Sequence, residues 1–202
     1  TANQEDKVVR RRVDSGWHRR EPSVPKTHDA ASRIAGHGAG VVRERLQSRA
    51  PQGVQQADKK ADAIIHQPDV RRMLLTQKSI AEGGRVLVAY LAQLVDIEHA
   101  EKDQVIKQNA ATKLSLLTPI AKAFMSELGF EATSHGVQIF GGHGFIKEWG
   151  MEQFMRDTKI SCIYEGTTGI QALDLLGRKV LGTQGAIFKP FTDDVEAFCK
   201  EN

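Results

Sequence analysis

Residues 68–100, PDVRRMLLTQKSIAEGGRVLVAYLAQLVDIEHA, decide the fold. Val70, Met73, Leu74, Gln77, Ile80, Ala81, Gly84, Leu87, Val88, Leu91, Leu94 and Val95 recur at helical spacing and keep one stripe over the whole segment. Pro68 suits the first helical turn, where its missing N–H costs nothing. The spacing predicts a helix from about Asp69 to Ala100, roughly 48 Å long at 1.5 Å per residue. Gly84 lies on the stripe and lets a neighbouring helix come close. An amphipathic helix of that length needs other long helices to cover it.

Working outward, the pattern continues to be helical. Ala110 to Leu128 predicts a second long helix, with Leu117, Ile120, Ala121, Phe124 and Leu128 on its buried face. Pro119 marks a kink or a restart capped by Thr118, and Gly129 suits a left-handed C-terminal cap. Shorter helices follow at about Glu131–Phe140, Met151–Ile163 and Thr168–Leu181, with a last amphipathic piece near Val195–Phe198. Met151, Phe154, Met155, Thr158 and Cys162 share a side of the Met151–Ile163 helix. Upstream, Val41–Gln47 reads as helix, and 50–68 as a long surface loop with room for one short helical turn. No β-alternation stands out, so the expected class is all-α: an antiparallel bundle of long helices, with two shorter ones closing one end.

Composition narrows the function classes. The 202 residues are 40% hydrophobic and 26% charged, near globular averages. No apolar run is long enough to cross a bilayer. Two cysteines, Cys162 and Cys199, make neither a disulfide framework nor a metal site, in keeping with a reducing, cytoplasmic setting. His135 and His143 lack a third ligand nearby, so no metal is expected. The formal charge of +3 is too small to imply a nucleic acid or an anionic membrane. Residues 1–50 nevertheless carry 11 Lys and Arg against 6 Asp and Glu. Arg10-Arg11-Arg12, Pro22 and Pro25 oppose compaction there. Residues 1–41 are therefore left unassigned, as a disordered or non-native segment.

Three places carry possible chemistry. Tyr164-Glu165-Gly166-Thr167-Thr168 puts a carboxylate in a turn before a helix, where unpaired N–H groups favour an anion. Thr168 and Gln171 have the spacing of a capping box, and Ile170, Leu173, Leu176 and Val180 define a buried face behind it. Glu165 there is either a solvated loop carboxylate or a base. Gly141-Gly142-His143-Gly144 is either a tight turn needing positive φ or a backbone surface that a phosphate can approach. Arg156-Asp157 is an exposed ion pair or an orienting one, and Phe145 and Trp149 cap the core or meet a planar cofactor.

The ordered series Gln138-Ile139-Phe140-Gly141-Gly142-His143-Gly144-Phe145, Met155-Arg156-Asp157-Thr158-Lys159-Ile160 and Ile163-Tyr164-Glu165-Gly166-Thr167-Thr168 resembles the C-terminal signature of the acyl-CoA dehydrogenases. The resemblance extends upstream through residues 68–75 to residues 44–49, so residues 42–202 are read as that family's C-terminal helical domain, a fragment. It implies an FAD-dependent enzyme that converts an acyl-CoA thioester to a trans-2-enoyl-CoA. Glu165 would be the base that removes the α-proton. Arg45, Gln138, Gly142 and Thr167 would contact FAD, Gln138 and Gly142 meeting the ADP part of a cofactor held mainly by a neighbouring subunit. Tyr164 and Gly166 would line the acyl-CoA pocket. Gly169 stands where many relatives carry Glu or Gln. The tail 176–181 resembles the longer bacterial branch that includes 3-methylthiopropanoyl-CoA dehydrogenases. The resemblance further implies a homo-oligomer, with an electron-transfer flavoprotein as electron acceptor. The alternatives are an oxidase using oxygen, a non-catalytic assembly module and a DNA-binding member of the superfamily.

Overall fold

The computed structural model describes residues 41–201. The segment left unassigned lies outside them, apart from Val41. The described residues form an all-α bundle built on two long helices, α1 (Pro68–Ala100, 33 residues) and α2 (Gln104–Phe140, 37 residues). A short link joins them. There the Asp103 carboxylate caps α2 by accepting from the Val105 and Ile106 N–H groups at 2.8 and 3.2 Å. With so short a link the two helices must run antiparallel, and they pack along their length. The remainder is short: α3 (Gly142–Phe145), α4 (Met151–Lys159), a 3₁₀ turn (Ile160–Cys162), α5 (Thr168–Leu173), a π-helical segment (Asp174–Leu181) and α6 (Lys189–Glu201).

The stripe read on α1 is the buried one. Met73, Gln77, Ala81, Gly84 and Leu94 are buried and the other stripe residues are at least partly covered. The Gln77 amide donates to the Ala132 carbonyl at 2.8 Å, which ties α1 to α2 inside the interface. One core cluster joins Val42, Ile64, Met73, Ile139, Phe140 and Met151 at the end where α2 stops.

Three expectations are corrected on α2. The helix is one piece, although Ala110–Leu128 and Glu131–Phe140 read as two. Gly129 is a buried helix-interior residue and not a cap. Pro119 is also buried inside the helix. A proline there leaves the carbonyl four residues back without its N–H partner, and that carbonyl belongs to Ser115. Lys179, from the π segment, donates to it at 2.5 Å. The helix therefore continues through Pro119 because a distant ammonium replaces the missing donor. The expected apolar face is right in part: Ala121 is buried and Leu117 and Leu128 are partly covered, but Ile120 and Phe124 are exposed, and Leu116 and Met125 are buried instead.

The helix expected over Val41–Gln47 stops at Glu44, because the next residues pair across to 62–64. Leu46 and Ala63 form an isolated antiparallel bridge, with Gln47 N–H on Asp62 O at 3.0 Å and Ile64 N–H on Arg45 O at 2.9 Å. Residues 50–68 are likewise more than a surface loop. The Asp62 side chain is fully buried and accepts from the N–H groups of Ala50 (2.9 Å), Gln56 (2.7 Å) and Gln55 (2.9 Å), with Arg49 Nη1 at 3.3 Å. The Ala50 N–H, then those of Gln56 and Gln55, and the Arg49 guanidinium outweigh desolvation and hold its carboxyl at about 2, below the ordinary 3.8.

The folded pKa is depressed, so the stabilisation is present above 3.8 and is lost as pH falls towards 2. Asp62→Asn puts an amide NH₂ against main-chain donors and is expected to destabilise the domain at neutral pH. The gap from wild type should close between about pH 4 and pH 2. Urea melts of both proteins across that range check it; a gap independent of pH removes the carboxylate from the account.

Candidate active site

The first cluster is the turn between the 3₁₀ helix and α5. Cys162 is buried and its thiol lies 3.3 Å from the Ser126 carbonyl of α2, anchoring the entry to the turn. The chain then emerges. Ile163 is exposed, Tyr164 half-buried and Glu165 exposed. Glu165 has φ +56° and Gly166 φ +94°. A left-handed non-glycine residue costs about 1–2 kcal/mol, and residues kept in such conformations cluster at functional sites.

Surrounding bonds hold this turn in place. Lys122, from the middle of α2, donates to Ser161 O at 2.9 Å and Gly166 O at 2.5 Å. Gln171 Nε2 donates to Glu165 O at 3.2 Å, with Gly166 O at 3.5 Å. The capping reading needs correcting by one residue. Thr167 is the N-cap, its hydroxyl accepting from Ile170 N–H at 3.4 Å. Thr168 donates instead to Glu127 Oε1 at 2.6 Å.

The apolar stripe behind the turn is also corrected. Ile170 is 54% exposed, Leu173 68% and Leu176 58%. The covered side of this helix carries Gln171, Asp174, Leu175 and Lys179, with Val180 the one partly covered residue of the stripe, so it is fastened to α2 largely by polar groups. Asp174 takes Lys179 at 2.9 Å and also pairs with Arg178; the bond from Lys179, then that from Arg178, lowers its pKa against desolvation. Lys179 and Asp174 are five residues apart, the spacing that a π turn stacks.

The second cluster lies at the far end of α2. Arg45 Nη1 donates to Phe140 O at 2.7 Å and Nη2 lies 3.3 Å from Gln47 Oε1. Gly141 has φ +60°, and a Cβ there would stand 2.9 Å from Arg45 Nη1. Positive φ is thus needed at Gly141, as read, but not at Gly142 or Gly144. Arg45, Gln138 and Gly141 border one cleft of about 320 Å³. Gly142 is exposed with open space at its Cα. Trp149 meets Phe140 and His143 edge-on, at 5.8 and 5.0 Å between centroids. Arg156 and Asp157 are exposed, Asp157 accepting from Gln153.

The structure therefore gathers Glu165, Tyr164, Gly166 and Thr167 in one cluster, and Arg45, Gln138 and Gly142 in another. Lys122 and Gln138 are separated by about 24 Å of helix axis, so the two clusters do not form one pocket. The donors of the far cluster suit one end of a nucleotide cofactor. The far cluster offers a guanidinium with five N–H donors, only part of them used by Phe140 and Gln47, beside an open glycine backbone. A larger groove of about 680 Å³, bordered by Pro68, Leu75, Ile80 and Leu128, contains none of these residues. Among the described residues no group of three or more His, Cys, Asp or Glu could hold a metal ion. No helix there is long and apolar enough to cross a membrane.

Lys122, Gln171 and Glu127 escaped the sequence reading as site residues. The available signal was Lys122 itself, a cation set between the covered residues Ala121 and Ala123.

Comparison with known proteins places the chain. The family described as acyl-CoA dehydrogenase, C-terminal domain, matches residues 32–181, starting upstream of Val42, where the motif resemblance began. The chain is 44% identical over 168 residues to the 3-methylmercaptopropionyl-CoA dehydrogenase of Ruegeria pomeroyi, covering 83% of this chain and 28% of that protein. It is 38% identical over 147 residues to the broad-specificity linear acyl-CoA dehydrogenase FadE5 of Mycobacterium tuberculosis, covering 71% and 24%. The chain thus spans about a quarter of the length of these relatives. The fold is similar to that of Caenorhabditis elegans ACDH-11, solved in complex with C11-CoA, with a TM-score of 0.69 at 23% identity over 85% of this chain and 26% of that one. Family match, identity and helical architecture agree: the chain belongs to the acyl-CoA dehydrogenase family, as its C-terminal domain.

Proposed function

We propose that this domain supplies the catalytic base and part of the nucleotide-binding surface of an FAD-dependent acyl-CoA dehydrogenase. The observation that carries the reading is Glu165: an exposed carboxylate held in a left-handed turn by donors from α2 and α5, in a chain of that family. Its carboxylate removes the α-proton of the thioester and retains it on oxygen as the α,β double bond forms. FAD, when bound, supplies the acceptor for the β-hydrogen leaving as hydride. The Glu165 main-chain N–H polarises the thioester carbonyl, which a base placed on a turn can do while its side chain takes the proton. Tyr164 and Gly166 border the acyl-CoA, and Thr167 contacts the flavin nucleotide. Arg45, Gln138 and Gly142 hold the ADP portion of a cofactor bound mainly by a second subunit, which makes a homo-oligomer part of the reading.

Similarity to the Ruegeria protein supports a short, sulfur-containing acyl-CoA as substrate, and an electron-transfer flavoprotein as acceptor completes the turnover. The test is anaerobic flavin bleaching by acyl-CoA in the full-length flavoenzyme carrying Glu165→Gln. Undiminished reduction removes Glu165 from the reaction.

A further inference from the structure

We infer that Lys122 is the positioning residue of the base turn, an inference that rests on the reading of Glu165 as base. Its ammonium bridges the carbonyls of Ser161 and Gly166, at 2.9 and 2.5 Å, which bracket Tyr164 and Glu165 in the chain. Ser161 lies in the single turn of the 3₁₀ helix, whose last carbonyls have no following turn to pair with, and Gly166 lies before α5 and outside any helix. Lys122 is half-buried in the middle of the longest helix, a rigid element, and donates inward to the turn. An amine with three donors on a long stem can hold both carbonyls at once. Gln171 grips the same turn, but from α5, the helix that the turn itself carries. Lys122 alone of the two fixes the turn to the body of the bundle. Its substitution therefore moves the turn that carries the carboxylate relative to the rest of the bundle, while Lys122 itself is assigned no contact with substrate or cofactor.

A displacement of about 1 Å at a reacting group is worth roughly 100-fold in rate. In the full-length holoenzyme, Lys122→Met is expected to slow flavin reduction by about that factor while acyl-CoA affinity changes by less than about threefold. Hydrogen exchange of the amides from Tyr164 to Thr168 should quicken at least about tenfold, as local opening becomes easier, with α1 unchanged. Lys122→Arg, which keeps donors, should recover most of the rate. If Lys122→Met loses its flavin, Lys122→Gln, which keeps one donor group, takes its place with the same outcomes.

A turn whose exchange and rate are unmoved overturns the inference and leaves Glu165 intact as base. A loss confined to affinity, or to global stability, overturns it as well. Full activity in Glu165→Gln together with a loosened turn in Lys122→Met overturns the base reading and retains the clamp.

Discussion

Glu165→Gln in the full-length flavoenzyme is expected to reduce its flavin about 10²–10⁴ times more slowly than wild type, the range that positioned general bases contribute. Binding of acyl-CoA should stay within about threefold. The size of the kinetic effect follows from chemistry: a carboxamide has the carboxylate's shape but no useful basicity. The small effect on binding follows from the backbone. The left-handed conformation at position 165 suits glutamine, since Gln184 adopts φ +53° in this same chain. Lys122 and Gln171 grip main-chain carbonyls and not the Glu165 carboxylate, so the clamp survives the change. Anaerobic stopped-flow bleaching measures the rate and equilibrium titration the affinity. A parallel loss in both would mean that the turn had collapsed, and the base assignment would lose its support.

The second large effect is structural. Gly144→Ala is expected to cost about 1–3 kcal/mol through overpacking, at roughly 2–4 °C of melting temperature per kcal/mol in a chain of this size. A Cβ at Gly144 would stand 2.5 Å from the Val137 carbonyl oxygen, 2.8 Å from Phe140 Cβ and 2.9 Å from Val137 Cα. Two of these atoms are backbone, so relief requires α3 to move off the end of α2. Gly142 is the internal control, because a Cβ there meets nothing within 4 Å. Gly142→Ala should melt with the wild type. Thermal unfolding of the two variants decides it; equal melting temperatures would remove the close-packing account of the glycine turn.

These glycines show what the sequence could and could not convey. Their clustering marked a turn and their order with the other motifs marked a family, because both signals are local. The division of labour among them was not legible: Gly141 is set by its backbone and by Arg45, Gly144 by lack of room. The α1 stripe was readable in full, since one face of a long helix is a matter of period alone. On α2 the same reasoning misplaced a break. Pro119 and Gly129 are locally good reasons to stop a helix, and the donor that lets it continue, Lys179, lies 64 residues beyond Ser115.

The base turn follows the same rule. Glu165 was proposed from its neighbours in sequence, whereas the bonds of Lys122, 44 residues before Gly166, required the fold. The stripe of Ile170, Leu173 and Leu176 had the right period and the wrong destination. Polar staples fasten that helix to α2, so its apolar side looks outward.

The left-handed backbone at Glu165 has a bearing on how such a domain can change over generations. Glycine at 165 would relieve about 1–2 kcal/mol of steric cost and give back roughly 0.5–1 kcal/mol in chain entropy. Glu165→Gly should therefore melt slightly higher than the parent while lacking its chemistry. On the reading of Glu165 as base, stability and activity pull in opposite directions at this one residue. On that reading, a lineage that no longer needed the proton transfer would gain stability by letting the glutamate go.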